Sequence, residues 1–346
     1  MIRHSRRRRQ RPATGQGGAN ATQFSRAGHW HSLDFFHARP DAKELFETLA
    51  AQKGLPPVVI EKDYWVMHCL WGLKQQGLHF EMKGGTSLSK GWRVIERFSE
   101  DIDLRFEPPR KLSLKGDKPA QVEARFEFYN ALADKIKIPG ITVQRSRVYD
   151  DDKAQNGGIS LKYDSFFTPN TELGLKPEVL LEAGFARTAP NEPRDFSSWA
   201  LDKALAAGLE VADNRAGGIK CFNPEYTFVD KLQTVCRRFR QWRDRNDPQK
   251  DRPRQFSRHY YDLYMLLAVD RVKKFIGTPD YENYKREKLK GADAREFASR
   301  SAFTLPDAGV YNLFEKEFKA INSLLFSPGP AFKAVIERIQ AYSPRF

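Results

Sequence analysis

The chain predicts an α/β (α+β) fold in which a mixed sheet is followed by a mainly helical half, and three observations carry that expectation. Short strand patterns punctuated by glycine and proline prevail up to about residue 190, and helical spacing prevails after it. The 346 residues, 40% hydrophobic with 25 Phe, 12 Tyr and 6 Trp, suffice for about two domains with sizeable cores.

The elements follow in order. Residues 1 to 28 are low in apolar content and rich in Arg, Gly and Ala, which predicts a disordered basic tail. Ala42 to Lys53 and Pro57 to Gln76 carry helical spacing. The second of these, with Val58, Ile60, Tyr64, Trp65, Met67, Cys69, Leu70 and Trp71, is apolar enough to be buried on more than one side. Both are expected to pack on the sheet as a lead-in. Leu78 to Met82 reads as a strand, Gly84-Gly85 as a tight turn, Thr86 to Ile95 as a helix opened by hydroxyl residues, and Asp101 to Phe106 as a second strand. A charged helix from about Ala120 to Lys137 precedes short strands near Ile141 to Val148, Ile159 to Tyr163 and Pro177 to Glu182. Beyond Pro190-Asn191-Glu192-Pro193, helices are expected at Phe196 to Ala207, Pro224 to Arg243, Arg254 to Val269, Tyr281 to Arg300 and Pro330 to Ala341. Pro224 suits the first turn of its helix. The expected division is a core at 29–190 and a helical domain at 191–346 that completes the active cleft.

Charge and cysteine content narrow the class. The formal charge is +14, six units of it from Arg3, Arg6, Arg7, Arg8, Arg9 and Arg11. The remaining excess still suits a polyanionic partner. Three widely spaced cysteines, Cys69, Cys221 and Cys236, form no Cys-x-x-Cys, which argues against a disulfide framework or a zinc site and for a reducing cytoplasm. No apolar run approaches the roughly 18 to 20 residues needed to span a bilayer, so a soluble cytoplasmic protein is expected.

The chemistry concentrates in Lys83-Gly84-Gly85-Thr86-Ser87-Leu88 and Phe98-Ser99-Glu100-Asp101-Ile102-Asp103-Leu104. The glycines allow close backbone approach, and free N–H groups at the following helix start would face an anion. Asp101 and Asp103 are two apart in a strand, so both carboxylates leave the same face and repel unless a cation lies between them. That is a layout for a metal-bound triphosphate. A strand end with solvated acids is the alternative, and the preceding Gly-Gly-Thr-Ser argues against it. Neither Gly-x-x-x-x-Gly-Lys-Ser/Thr nor Gly-x-Gly-x-x-Gly is present, which excludes a P-loop and a dinucleotide fingerprint. No Gly-x-Ser-x-Gly supports nucleophilic catalysis.

Across Lys83 to Leu104 the chain resembles the AbiEii/AbiGii toxin-like nucleotidyltransferases, part of the DNA polymerase β-like nucleotidyltransferase superfamily. The resemblance implies a nucleotidyltransferase core in which Asp101 and Asp103 hold Mg²⁺ (or Mn²⁺), while Lys83, Gly84, Gly85, Thr86, Ser87 and Ser99 surround the NTP. Val179-Leu180-Leu181-Glu182-Ala183-Gly184-Phe185-Ala186-Arg187 matches the family's later strand. It makes Glu182 the third metal-side acid and candidate general base, with Glu178 its rival on the same strand face. Thr227-Phe228-Val229-Asp230-Lys231-Leu232 resembles the motif whose lysine reaches the nucleotide phosphates, here Lys231. In Arg258-His259-Tyr260-Tyr261-Asp262-Leu263-Tyr264 the match carries over to Asp262 as a catalytic acid, and His259 stands where the family often has Asp. The resemblance further implies the toxin of a toxin–antitoxin or phage-defence pair, with a separately encoded antitoxin.

From Lys231 to Arg258 the local balance is +7, and Arg237, Arg238, Arg240 and Arg243 are interleaved with Phe239 and Trp242. That mixture suits phosphate contact with base stacking, and with the resemblance to nucleotidyltransferases it implies RNA, for instance a tRNA end, as the expected acceptor. A solvated helix hairpin has the same composition. The other expectations from these residues are a transferase acting on a small-molecule or protein hydroxyl and a non-catalytic RNA-binding protein on the same fold.

Overall fold

Ile102, Leu104 and Phe106 turn to one side of their strand while Asp103 and Arg105 turn to the other, and this alternation lies at the centre of a seven-stranded sheet. The computed structural model describes residues 33–168, 175–245 and 253–346; the basic stretch 1–28, and Lys250 and Arg252 of the charged loop, lie outside the described residues. The strands β1 (Phe80–Lys83), β2 (Ile102–Phe106), β3 (Thr142–Ser146), β4 (Asn156–Lys162), β5 (Glu178–Gly184), β6 (Asn191–Phe196) and β7 (Ala216–Phe222) are ordered β3-β4-β5-β2-β1-β7-β6. The sheet is mixed: β1 runs antiparallel to β2 and parallel to β7, and β2 runs parallel to β5.

One face of the sheet is filled by α1 (Ala42–Lys53), α2 (Pro57–Gln75), α4 (Pro119–Lys135) and α5 (Trp199–Ala206). Tyr64, Met67 and Leu70 of α2 meet Ile102, Leu104, Val179 and Leu181 there, all buried. Each such side chain contributes about 1.5–3 kcal/mol on leaving water. A second core joins α6 (Pro224–Arg245), α7 (Pro253–Leu266), α8 (Asp270–Phe275), α9 (Pro279–Lys288), α10 (Gly291–Ser299), α11 (Ser301–Thr304), α12 (Ala308–Phe318) and α13 (Phe332–Tyr342). Leu88, Ile95 and Phe222 belong to this second core, so the turn after β1 and the end of β7 are tied to the helices. Arg271 of α8 reinforces the tie by pairing with Glu192 of β6 at 2.9 Å and Glu225 of α6 at 2.7 Å. Among the described residues no helix is long and apolar enough to cross a membrane.

The mixed sheet and the helical run from Pro224 agree with the expected class. Three local expectations are corrected. The sheet does not stop near residue 190: β6 and β7 add two strands inside 191–222, so the mainly helical part begins at Pro224. Polar β6 carries Pro193 and lies at the sheet edge, where proline is tolerated, while β7 opens on Gly217-Gly218, so neither shows the apolar alternation of a strand. The helix expected over Thr86 to Ile95 is shorter and earlier, α3 (Gly84–Thr86) continuing through one wide π turn at Ser87–Gly91. The helix expected over Tyr281 to Arg300 is two, α9 and α10, because Leu289 and Lys290 are extended and Gly291 takes φ of 56°.

Candidate active site

The strand register gathers the charged residues of the sequence motifs. Lys83 lies opposite Asp103, and Asp103 lies opposite Glu182, so one row across β1, β2 and β5 carries an ammonium and two carboxylates. Their neighbours Ile102, Leu104, Leu181 and Ala183 face the core, which leaves the row on the other face. Asp101 stands one residue before β2 and shares the side of Asp103 by the two-residue period. Glu178 is four residues earlier than Glu182 on β5, roughly 13 Å along the strand. It is opposite Lys162, and its carbonyl accepts a hydrogen bond from Lys62 Nζ at 2.6 Å.

The two glycines are dictated by contact. Gly84 has φ of 79°, and a Cβ there would overlap the Asp103 carboxylate. At Gly85 a Cβ would fall 2.5 Å from Ser99 Oγ and 3.0 Å from Arg97 Nη2. The turn is therefore pressed onto the acidic strand. Thr86 and Ser87 do not present their hydroxyls to the cleft. Thr86 Oγ1 donates to the carbonyl of Asp101 at 2.6 Å and so braces the turn, and Ser87 is buried beside the Cys221 thiol.

Three acids on one face shape the electrostatics. Glu182 is pushed up to about 7, first by the charge of Asp103, then by burial and Asp101. Asp103 is raised chiefly by burial and by Asp101, against the pull of Lys83 and Lys231, and it is hydrogen-bonded to Glu182. Lys176 Nζ meets Asp101 Oδ1 at 3.0 Å and stands where a cation is wanted. Oxygen-only donors of this kind suit Mg²⁺ or Mn²⁺, although among the described residues no three are drawn into a ready-made metal cage.

A carboxylic acid that titrates near 7 in the fold and at 4.5 in the open chain makes the native state less stable as pH rises through that window, because the folded chain holds the extra proton. Glu182→Gln is therefore expected to raise the urea midpoint of the metal-free protein at pH 8 and to leave it nearly unchanged near pH 4. Equal shifts at both pH values would show that charge repulsion is not the cause.

The opposite wall comes from the helices. Lys83, Gly84, Asp103 and Phe222 share a cleft of about 220 Å³ with Thr227, Asp230, Lys231 and Thr234 of α6 and Lys288 of α9. Lys231 Nζ lies 2.7 Å from Asp262 Oδ2, and Arg97 grips the same carboxylate through Nε at 2.7 Å and Nη2 at 2.9 Å. His259 Nδ1 is 3.3 Å from Lys231 Nζ. Asp262 is wholly enclosed and pairs with Lys231, which lines the cleft. Two cations share one carboxylate here. Burial, with Arg97 and Arg258, holds Lys231 below the ordinary lysine range in spite of Asp262. An incoming phosphate would supply the missing counter-charge.

The basic stretch of α6 is only partly as expected. Arg240 pairs with Asp293 at 2.9 Å and Arg243 with Glu296 at 2.6 Å. Phe239 is in the helical core, and Trp242, half-buried, packs edge-on against Phe314 at 5.1 Å. Arg237 and Arg238 remain exposed. Sequence reasoning missed Arg97, Lys176 and Lys62. Lys62 is buried on α2, pairs with Glu100 at 3.3 Å, and its Nζ donates to the carbonyls of Lys176 and Glu178. The available signal was Glu61-Lys62-Asp63, three consecutive charges inside an otherwise apolar helix.

A family model described as nucleotidyl transferase AbiEii toxin, type IV TA system, matches residues 67–338, more than three quarters of the chain. No curated protein matches the chain.

Proposed function

The chain belongs to the AbiEii nucleotidyl transferase toxin family, whose type IV toxin–antitoxin setting implies a separate antitoxin, and on that premise we propose that it transfers a nucleoside monophosphate from an NTP to the end of an RNA such as a tRNA, with Mg²⁺ or Mn²⁺ as cofactor and a role in phage defence. The observation that supports this best is the row Lys83, Asp103 and Glu182, of which Lys83 and Asp103 line one cleft together with Lys231.

Asp101, Asp103 and Glu182 are the residues that would hold the metal, which when bound neutralises the triphosphate and polarises the phosphorus under attack. Lys231 and Lys83 bind the phosphate oxygens as point charges. The acceptor hydroxyl oxygen attacks the α-phosphorus, its proton passes to Glu182, and pyrophosphate leaves from the opposite side. Asp262 and Arg97 keep Lys231 in place.

The reading is tested by incubating the protein and Mg²⁺ with each labelled NTP in turn and with total RNA or total protein. Label on RNA from one NTP supports it; label on protein or on a small molecule supports the other acceptor class, and label on nothing supports a binding protein. Glu182→Gln should remove most of the transfer and Glu178→Gln little, since only Glu182 is level with Asp103. The opposite ranking would exchange their roles. Arg237 and Arg238 are exposed on α6, and Arg243, also exposed, is paired with Glu296. If Arg237 and Arg238 both meet RNA phosphates, replacing the two with Ala should flatten the slope of log affinity against log salt by about 1.4, at about 0.7 per phosphate on a single strand, with NTP binding unchanged. An unaltered slope would remove this helix from the RNA path.

A further inference from the structure

In-line transfer puts the attacking and departing oxygens on opposite sides of the phosphorus. The cleft for the triphosphate lies on the β1 and α6 side of Asp103, so the acceptor must arrive from the β5 and β4 side. That side carries a built wall. Gly158 of β4 is opposite Glu182, and Tyr149 occupies the space that a side chain at Gly158 would take: a methyl group there would lie 2.7 Å from Tyr149 Cβ and 3.1 Å from its Cδ2. Lys176 Nζ is 4.9 Å from the centre of the Tyr149 ring and 3.0 Å from Asp101 Oδ1. The ring is half-buried, and its hydroxyl makes no hydrogen bond among the described residues.

Both residues are held in place. Asp150, next in the chain, accepts a hydrogen bond from Gly158 N at 3.1 Å and from Arg145 Nη2 at 2.7 Å. Asp151 accepts from Gln155 N at 3.1 Å and Asn156 N at 2.6 Å, closing the turn that follows. Lys176 is fixed through its backbone: its N–H donates to Glu100 Oε2 at 2.9 Å and its carbonyl accepts from the buried Lys62. A half-buried aromatic ring with an ammonium over it, on a rigid frame beside the acids, supplies the two kinds of group that a base and its adjoining phosphate require.

We infer that Tyr149 and Lys176 form the acceptor subsite, the tyrosine ring stacking on the terminal base of a single-stranded RNA and the lysine meeting its phosphate; the inference rests on the nucleotidyl-transfer reading above. The test uses a single-stranded RNA oligonucleotide, with binding followed by anisotropy in the absence of NTP and transfer followed at steady state. Tyr149→Leu, which keeps apolar bulk and removes the ring, should weaken RNA binding and raise the acceptor KM by about tenfold while leaving the NTP KM unchanged, and Tyr149→Phe should behave as the parent protein. Lys176→Met should flatten the salt slope of RNA binding by about 0.7. Thermal midpoints within a degree or two of the parent confirm that the variants fold. Unchanged RNA affinity in Tyr149→Leu with transfer intact overturns the subsite alone, as does a Lys176→Met variant that alters metal requirement but not the salt slope. A parent protein that labels no RNA with any NTP overturns the transfer reading itself.

Discussion

Asp103→Asn should lower nucleotidyl transfer by about a thousandfold and leave the protein folded. On the proposed reading Asp103 is one charged ligand of the metal, whose stabilisation of the transition state is worth several kcal/mol, and the expected loss follows from removing it. The fold survives because asparagine keeps the shape against which Gly84 is packed and relieves the repulsion with Asp101 and Glu182. Asp101→Asn should lose activity similarly. It additionally strips Lys176 of its carboxylate, so its stability is the less clean control. Single-turnover transfer and a thermal midpoint on both variants are the measurements. Near-normal rates in both would take the metal away from this strand.

How much of this was legible in the sequence depended on whether the information was local. β2 and its acids were readable because an apolar residue between two aspartates fixes their common face, and the glycine pair beside them is a local demand of the turn. The helices expected from Pro224 and from Arg254 were readable by period, the first also by its opening proline. What could not be read arises from contacts between distant segments. Lys176 follows no periodic pattern, and its place beside Asp101 is set by Lys62 and Glu100, 114 and 76 residues away. The arginines of α6 looked equivalent in sequence, yet Asp293 and Glu296 of α10 take two of them and leave Arg237 and Arg238 exposed. Asp262 carried a motif but not its meaning. The structure adds that it is buried and paired with two cations, Arg97 and Lys231.

Asp262→Ala should cost about 3–5 kcal/mol of folding stability, the expected penalty for breaking a buried ion pair from one side. Asp262 is wholly buried, and both of its oxygens are used, by Arg97 at 2.7 and 2.9 Å and by Lys231 at 2.7 Å. Its removal leaves two buried cations without the carboxylate they share, and Arg97 also adjoins the Gly85 turn. The guanidinium of Arg97 and the ammonium of Lys231 hold the Asp262 carboxyl far below the usual carboxylate range despite its burial. A carboxylate with a lowered pKa stabilises the fold fully above its unfolded value of about 3.9 and loses that contribution only as pH falls towards its folded value. The difference between the parent protein and Asp262→Ala in urea unfolding should therefore stay constant from pH 5 to pH 8 and shrink only in strong acid. Should Asp262→Ala not yield folded protein, Asp262→Asn retains a hydrogen-bond acceptor and should show the same pH independence with a smaller loss. A loss below about 1 kcal/mol, as for an exposed pair, or a difference that changes between pH 5 and pH 8, would mean that this carboxylate does not hold Lys231 in the way the geometry requires.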